Sequence, residues 1–214
     1  TRGGSDVMRI FAPPLGGGGG YIAIVKYNAG NVQSVQYALD RLGVQSIVTN
    51  DEALLQSADK VIFPGVGHAE AAMQSLQENG LDSIIKKLTQ PVLGICVGFQ
   101  LMCNHTEEGD TKGLGIFDAE VKLFKSAIEK VPQIGWNNIY DYTSVLFNGL
   151  VENAFVYYVH SYYATLCNAT VATTDYIIPY SGALQKDNFY AVQFHPEKSG
   201  IVGETILKNF INIK

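Results

Sequence analysis

The sequence predicts one α/β domain in three layers, with an open, mixed but mostly parallel sheet flanked by helices. Two observations in the first half support this: strands and helices alternate, and the strands are short apolar runs. Alternation at this spacing implies parallel strands joined by right-handed crossovers. Strands covered by helices on both faces are apolar throughout rather than on alternate residues. A third observation, a second half richer in strands, adds antiparallel pairs to the sheet.

The first half supplies four apolar strands and their helices. Residues 32–43 illustrate the helices, because apolar side chains recur there at helical spacing and the segment ends on Gly43. In the strand at 59–67, Pro64 and glycines interrupt the run. The predicted strands are 21–27, 44–49, 59–67 and 91–95, and the predicted helices are 32–43, 69–80, 81–88 and 97–104.

The second half is dominated by strands that end in one helix. Residues 185–189 have the composition of a hairpin turn. The predicted strands are 119–124, 136–141, 155–165, 170–176, 181–185 and 189–195, and an amphipathic helix is predicted at 203–213.

Composition excludes several classes of function. A chain of 214 residues holds one sizeable core. The net charge of −5 and the lack of a dense basic cluster predict neither nucleic acid nor an anionic membrane as partner. No apolar run approaches the length of a membrane span. Three cysteines without zinc-ligand spacing predict no disulfide framework, no metal, and a cytoplasmic protein.

Residues 1–20 differ from the rest, with five consecutive glycines and a Pro-Pro pair. They lack the basic start and apolar stretch of a signal peptide. We interpret them as a tag or flexible linker, with a native N-terminal arm as the alternative, and assign the domain to residues 21–214.

Cys96 stands where a strand should end and a helix begin, between Gly94 and Gly98. A sharp strand–turn–helix elbow exposes its central side chain and crowds the residues two before and two after it. The helix N-terminus favours a thiolate, and the N–H of Val97 faces any oxyanion formed beside the sulfur. The spacing therefore predicts that Cys96 is a nucleophile, with a small buried core cysteine as the alternative. For Cys103 and Cys167 we predict the core role.

A nucleophile needs a base, and His195 follows an apolar strand. Glu197 lies two residues later, on the same side if the segment is extended. Pro196 restricts His195 to extended conformations. We expect Glu197 to orient His195 while His195 moves the proton; a histidine that only terminates a strand is the alternative.

A third segment, Pro64-Gly65-Val66-Gly67, follows a strand one βα unit before the elbow. Its backbone N–H groups have little side-chain cover. Hydrolases draw a second oxyanion donor from a corresponding position, so we expect one near Val66 or Gly67; a generic turn is the alternative.

Together, "PGVG", "GICVGFQL" and "FHPEKSG" resemble the class I (triad) glutamine amidotransferases, in that family's order and approximate spacing, over residues 21–214. The usual elbow of the family has leucine and methionine where this chain has Val97 and Phe99. The resemblance implies a flavodoxin-like fold, L-glutamine as substrate and no cofactor. It also implies a Cys96–His195–Glu197 triad and an oxyanion strand at Gly65, Val66 and Gly67.

The resemblance further implies residues that contact glutamine and a partner. It places Gln100 and Glu108 against the bound glutamine, and "VHSYYA" adds further substrate contacts. Within the class, the opening "IAIVKYNAGNVQSV", "KVPQIGWN" and "VHSYYA" resemble the amidotransferase subunits of imidazole glycerol phosphate synthases. These subunits pass ammonia to a separate cyclase subunit with a (β/α)8 barrel. The implied substrate contacts in "VHSYYA" are His160, Ser161 and Tyr162, and the implied partner contacts are Asn31, Trp136, Asn137 and Lys198.

Three alternatives remain open on the sequence alone. The chain could be another glutaminase of the class, such as those of the anthranilate, carbamoyl-phosphate or pyridoxal-phosphate systems, although "GWN" and "KYNAGN" argue against these. It could be a silent binding or regulatory module, although the intact triad argues against that. It could be a cysteine peptidase of similar fold, which the match at Gln100 and Glu108 disfavours.

Overall fold

The computed structural model describes residues 20–28 and 31–214. The predicted tag or linker over residues 1–20 therefore lies outside the described residues, except for Gly20. The helices are α1 (Val32–Arg41), α2 (Glu52–Ser57), α3 (Ala69–Glu78), α4 (Leu81–Lys87), α5 (Val97–Leu101) and α6 (Gly200–Ile211). The strands are β1 (Ile22–Val25), β2 (Ser46–Thr49), β3 (Lys60–Phe63), β4 (Val92–Ile95), β5 (His105–Thr106), β6 (Thr111–Lys112), β7 (Glu120–Leu123), β8 (Gln133–Asn138), β9 (Phe155–His160), β10 (Tyr162–Ala164), β11 (Thr170–Tyr176), β12 (Ile178–Lys186) and β13 (Phe189–Val192).

The central sheet has seven strands in the order β11-β12-β13-β4-β3-β1-β2. Its four pairings from β13 to β2 are parallel, and the two pairings that join β11, β12 and β13 are antiparallel. The predicted mixed, mostly parallel sheet is therefore confirmed. The predicted turn at 185–189 is also confirmed, because Lys186 pairs with Phe189 across the β12–β13 hairpin. Strands β1, β3, β4 and β13 are buried along their whole length, as their apolar runs predict.

Two smaller sheets lie beside this core. One has the order β10-β7-β5-β6, and the other is a two-stranded ribbon of β8 and β9. The prediction of one strand over 155–165 was wrong, because the chain turns at Ser161 and β9 and β10 join different sheets. His160 Nδ1 donates to Tyr162 O at 2.7 Å across this turn, and Ser161 O accepts the amide of Phe124 instead of a ribbon hydrogen bond.

Other predicted boundaries differ for local reasons. Strand β3 ends at Phe63 rather than at residue 67, because Pro64 has no N–H for a ladder. The prediction missed α2, whose cap is Asp51: its carboxylate accepts the amide of Leu54 at 2.9 Å. The closing helix begins at Gly200, one turn earlier than predicted.

The topology gathers the three predicted motifs at one edge of the sheet. Strand β4 lies between β3 and β13, with Phe63 paired to Gly94 and Val192 paired to Ile95. The segments that follow these strands hold Pro64–Gly67, Cys96 and His195 respectively. In open α/β sheets, sites form outside the carboxyl ends of parallel strands, and the motifs meet there.

Candidate active site

Cys96 occupies a strained backbone position between β4 and α5. Its φ of 54° and ψ of −109° lie in a region that L-residues with side chains rarely adopt. Strain of this kind costs about 1–3 kcal/mol and persists only where the surrounding structure enforces it. The residue is only 4% exposed, so the exposed side chain expected at the elbow was wrong. The sharp elbow predicted for a nucleophile is therefore present.

Three glycines make the elbow possible, each through a different contact. A Cβ on Gly94 would lie 2.4 Å from Met102 Sδ and 3.3 Å from the carbonyl carbon of Gly98. A Cβ on Gly98 would lie 2.0 Å from Phe63 O on the neighbouring strand. The predicted crowding between Gly94 and Gly98 thus explains only part of the motif, because Gly98 is required mainly by β3. Gly65 is equally confined, with Gly98 N 2.8 Å from its hypothetical Cβ.

His195 and Glu197 form a buried ion pair, with Nδ1 and Oε1 2.8 Å apart and side chains 3% and 2% exposed. His195 itself is extended, as Pro196 predicts, but the extended run expected to reach Glu197 was wrong, since residues 196–198 form a 3₁₀ turn that brings Glu197 back to the ring. The backbone of His195 is fixed on both sides. Its amide donates to Tyr157 O at 2.9 Å, and its carbonyl accepts Ser199 Oγ at 2.6 Å.

The electrostatics of His195 favour its protonated form. Burial lowers the pKa of the ring, but hydrogen bonds and charges from Cys96 and Glu197 outweigh it and raise the pKa to about 10. Glu197 Oε2 is buried without a hydrogen-bond partner among the described residues, so the imidazolium is the group that compensates this carboxylate. The arrangement suits a thiolate–imidazolium pair, the reactive form of a cysteine nucleophile.

A cavity of about 290 Å³ opens beside Cys96. Most of the residues predicted as catalytic, oxyanion or substrate-binding groups line it, whereas Gly65 and Glu197 do not. Two lining residues, Pro132 and Val159, were not predicted as site residues, although both lie in segments that resemble the family, "KVPQIGWN" and "VHSYYA". The lining residues are Val66, Gly67, Cys96, Val97, Gln100, Glu108, Pro132, Val159, His160, Ser161, Tyr162, His195 and Lys198.

Gln100 and Glu108 each use part of their polar surface within the protein. Gln100 Nε2 donates to Tyr162 O and to Gln193 Oε1, both at 3.0 Å. Both amide N–H groups are thereby engaged, so only its oxygen can serve a ligand. Glu108 Oε2 accepts the amide of Ala69 at the start of α3 at 2.8 Å, which leaves Oε1 for a cation in the cavity.

His160 lines the cavity, but its ring nitrogens face the protein. Nδ1 donates to Tyr162 O at 2.7 Å, and Nε2 lies 3.0 Å from Gln133 Oε1 and 3.3 Å from the hydroxyl of Tyr180. Burial lowers its pKa to about 4, although the bond to Tyr162 opposes this. His160 is therefore neutral at pH 7, and a ligand can meet only its ring carbons.

The predicted oxyanion segment holds a carbonyl towards the elbow. The amide of Val97, which is the expected donor, donates to Gly65 O at 3.2 Å. The hydroxyl of Tyr27, just after β1, donates to the adjacent Pro64 O at 2.6 Å and is buried. In this conformation the N–H of Val97 is already satisfied, so it cannot serve an oxyanion until Gly65 O moves away.

The residues predicted to contact a partner differ in how far they are exposed and in their hydrogen bonds. Trp136 is 56% exposed, which excludes a core tryptophan. It pairs across the ribbon with Tyr157, at a ring-centroid distance of 5.9 Å. Asn137 points the other way, to Asp175 O, and Asn31 caps α1 through the amide of Ser34. We call the exposed apolar side of the ribbon the ribbon face; it consists of Ile134, Trp136, Phe155, Tyr157 and Val159.

Neither a membrane span nor a metal cluster occurs within residues 20–28 and 31–214. No helix in these ranges has the length and apolar character needed to cross a membrane. In the same part of the chain, no group of three or more His, Cys, Asp or Glu side chains is arranged to hold a metal ion.

Comparison with known proteins identifies relatives of the chain. The family model for class-I glutamine amidotransferases matches residues 23–213. A Bacteroides thetaiotaomicron protein described as imidazole glycerol phosphate synthase subunit HisH is 58% identical over 194 residues, which cover 90% of this chain and 99% of that protein. A Haemophilus influenzae protein of the same description is 44% identical over 191 residues, covering 89% and 96%.

Solved structures support the same fold at lower identity. A putative GMP synthase protein from Thermoplasma acidophilum aligns with a TM-score of 0.70 and 23% identity, covering 90% of this chain and 92% of that one. PurLQS from Thermotoga maritima aligns with a TM-score of 0.67 and 16% identity, covering 91% and 98%. Since the family model spans nearly all of the described domain and a relative is 58% identical along it, the chain belongs to the class-I glutamine amidotransferase family.

Proposed function

We propose that this chain is the glutaminase subunit of an imidazole glycerol phosphate synthase. It hydrolyses L-glutamine to glutamate and ammonia and delivers the ammonia to a separate cyclase subunit with a (β/α)8 barrel. The cyclase uses it to make imidazole glycerol phosphate for histidine biosynthesis. The observation that carries the proposal is the buried arrangement of Cys96, His195 and Glu197 in a chain 58% identical to a protein described as this subunit.

The chemistry follows from the raised pKa of His195. The Cys96 thiolate attacks the side-chain amide carbon of glutamine and forms a tetrahedral oxyanion. His195 gives its proton to the amide nitrogen, so ammonia leaves and a thioester remains. His195, now neutral, takes a proton from water, the resulting hydroxide attacks the thioester, and glutamate leaves with Cys96 restored. Glu197 holds the ring orientation through both steps.

The cavity beside Cys96 offers complementary groups to glutamine. Glu108 Oε1 suits the α-ammonium group, because a carboxylate forms a charge-assisted hydrogen bond with it. The oxygen of Gln100 can accept a further N–H, since its own amide protons are engaged. Ser161 and Tyr162 also line the cavity.

The ribbon face suits the cyclase as its partner. Val159 belongs both to this face, where it is 37% exposed, and to the cavity lining. A cyclase seated there would therefore cover the mouth of the cavity and shield the departing ammonia from solvent. Lys198 is exposed and also lines the cavity, so a partner that covers the cavity could contact it.

Replacing Cys96 by serine tests the proposal. Serine fits the elbow, but its hydroxyl is far less ionised than a thiol at neutral pH. We expect Cys96→Ser to abolish ammonia release in the presence of cyclase and its nucleotide ligand, measured by a coupled glutamate assay, while cyclase binding persists. Cys167→Ser, at a half-buried cysteine outside the cavity, is the matched control and should retain activity. Substantial turnover by purified Cys96→Ser would refute the assignment.

A further inference from the structure

Gln193 is a buried polar residue that the proposed chemistry does not use. It directly follows β13, two residues before His195, and is 0% exposed. Its backbone is held by β12, because its amide donates to Gly182 O at 2.9 Å. A fully buried amide side chain is retained only where its donors and acceptor are paired, so its partners indicate what it does.

Both ends of the Gln193 amide meet residues of the candidate active site. Its Nε2 donates to Cys96 Sγ at 3.8 Å, and its Oε1 accepts Gln100 Nε2 at 3.0 Å. The orientation is determined by the network. Gln100 Nε2 also donates to Tyr162 O, and a carbonyl can only accept. The nitrogen of Gln100 must therefore face Gln193 Oε1, which turns the N–H groups of Gln193 towards the sulfur.

A donor from Gln193 differs from the other contacts of the sulfur. The thiol also reaches Val159 O at 3.9 Å, but only a protonated sulfur can donate to that carbonyl. Gln193 can donate to the sulfur in either form, and hydrogen bonds to an ion are the stronger kind. It therefore favours the thiolate, whereas Val159 O can be served only by the thiol.

We propose that Gln193 is a positioning residue, which holds the Cys96 sulfur as a thiolate and fixes it relative to Gln100, the residue proposed to contact glutamine. The inference rests on the proposed function for its catalytic meaning. The contacts themselves do not depend on the proposed function, because the Gln193 amide bridges Cys96 Sγ and Gln100 Nε2 whatever the reaction is.

Alkylation of Cys96 tests this without requiring glutamine hydrolysis. The rate of carbamidomethylation by iodoacetamide is measured against pH, with Cys96 quantified by peptide mass spectrometry. Gln193→Met removes both side-chain hydrogen bonds while keeping a side chain of similar volume. Gln193→Glu keeps an acceptor for Gln100 but turns a carboxylate towards the sulfur. We expect the midpoint of the profile to rise by about one pH unit in Gln193→Met, as for the loss of one hydrogen bond to an ion, and by more in Gln193→Glu, because the carboxylate also repels a thiolate.

Other groups that titrate near the sulfur are the same in every sample. They are His195, Tyr27, His160, Glu108, Lys198 and, through His195, Glu197. Gln90→Glu is the matched control, since Gln90 Nε2 donates to Leu55 O away from the cavity. We expect it to leave the alkylation profile unchanged even if it lowers the melting temperature.

The outcomes separate the inference from the proposed function. We expect kcat/KM for glutamine, measured with cyclase and its nucleotide ligand, to fall about tenfold in Gln193→Met, which is the one-unit shift expressed as a rate. An unchanged alkylation profile in whichever Gln193 variant folds would overturn the inference. Absence of ammonia release by the wild-type complex would instead overturn the proposed function, while the alkylation result would still decide the role of Gln193.

Discussion

His195 is the residue at which the local forces oppose one another. Burial favours the neutral ring, yet contacts with Cys96 and Glu197 raise its pKa to about 10. The two contacts prevail because charges interact strongly in a buried site, and Glu197 Oε1 lies only 2.8 Å from the ring. The proton is thus already on the residue that we propose delivers it to the leaving ammonia.

Replacing Glu197 tests this balance directly. In Glu197→Gln the neutral amide removes one hydrogen-bond acceptor and one negative charge from His195. We expect the pKa of His195 to fall below its wild-type value, as followed by an NMR titration of the ring proton. Turnover should decrease, but less than in His195→Ala, which has no group to move the proton. An unchanged titration would show that Glu197 does not control the ring.

The raised pKa also makes stability depend on pH, with a defined sign. The folded protein holds the proton of His195 up to about pH 10, whereas the unfolded chain releases it near the ordinary histidine value of about 6.5. The contribution of His195 to the free energy of unfolding is therefore complete below about pH 6.5 and is lost as the pH rises towards 10. Denaturant unfolding should show a stability difference between wild type and His195→Ala that shrinks over this range.

At the residue scale, the sequence could predict those groups that are marked by their immediate neighbours in the chain. The glycines around Cys96 and the two-residue spacing of His195 and Glu197 are visible without a structure. Gln193 was missed because its role depends on Gln100, 93 positions away. The reason for glycine at position 98 was also hidden, since the Phe63 carbonyl belongs to another strand.

Among the elements, the β8–β9 ribbon has two chemically different sides. Val156, Tyr158 and His160 point inwards and are buried, whereas the ribbon face remains outside. Trp136 and Ile134 are 56% and 64% exposed on that face. Contiguous exposed apolar side chains of this kind mark interaction sites in soluble proteins.

Trp136→Ala tests the ribbon face as the cyclase interface. Tryptophan anchors contribute disproportionately to binding energy, so we expect association with cyclase to weaken by about 2 kcal/mol, measured by calorimetric titration. The melting temperature of the isolated glutaminase should change little, because the ring is more than half exposed. Tyr37→Ala is a suitable control, since Tyr37 is equally exposed but lies on α1, outside the ribbon face. Unaltered affinity in Trp136→Ala would remove the ribbon face from the interface.

Element boundaries show why the sequence could not predict everything at this scale. The run from 155 to 165 is uniformly suited to a strand, so nothing local indicates the change of sheet at Ser161. The change is imposed by non-local partners: β8 for the first part and β7 for the second. By contrast, the parallel core strands were predictable because burial on both faces makes them apolar along their length.

At the scale of the whole molecule, the site depends on strands that are distant in the chain but adjacent in the sheet. The elbow after β4 meets the proposed base in the segment after β13 and the proposed oxyanion segment after β3. The last of these is held in a non-productive conformation by two hydrogen bonds, from Val97 N to Gly65 O and from Tyr27 Oη to Pro64 O. A glutaminase silent in isolation would avoid wasting glutamine when no acceptor for ammonia is present.

Activation should therefore accompany rotation of the peptide between Gly65 and Val66. Rotation would replace the carbonyl with an N–H and release the amide of Val97, and glycine at position 65 lowers its conformational cost. An oxyanion donor is worth roughly 3–4 kcal/mol, so we expect cyclase with bound nucleotide to raise turnover on the order of a hundredfold or more.

Tyr27→Phe removes one of the two restraints and should raise the turnover of the isolated glutaminase while changing the fully activated complex little. The measurement is glutamate release by the wild type and by Tyr27→Phe, each in isolation, with cyclase, and with cyclase plus nucleotide. Full activity of the isolated wild type would exclude the switch, and an unchanged basal rate in Tyr27→Phe would show that Tyr27 does not hold it closed.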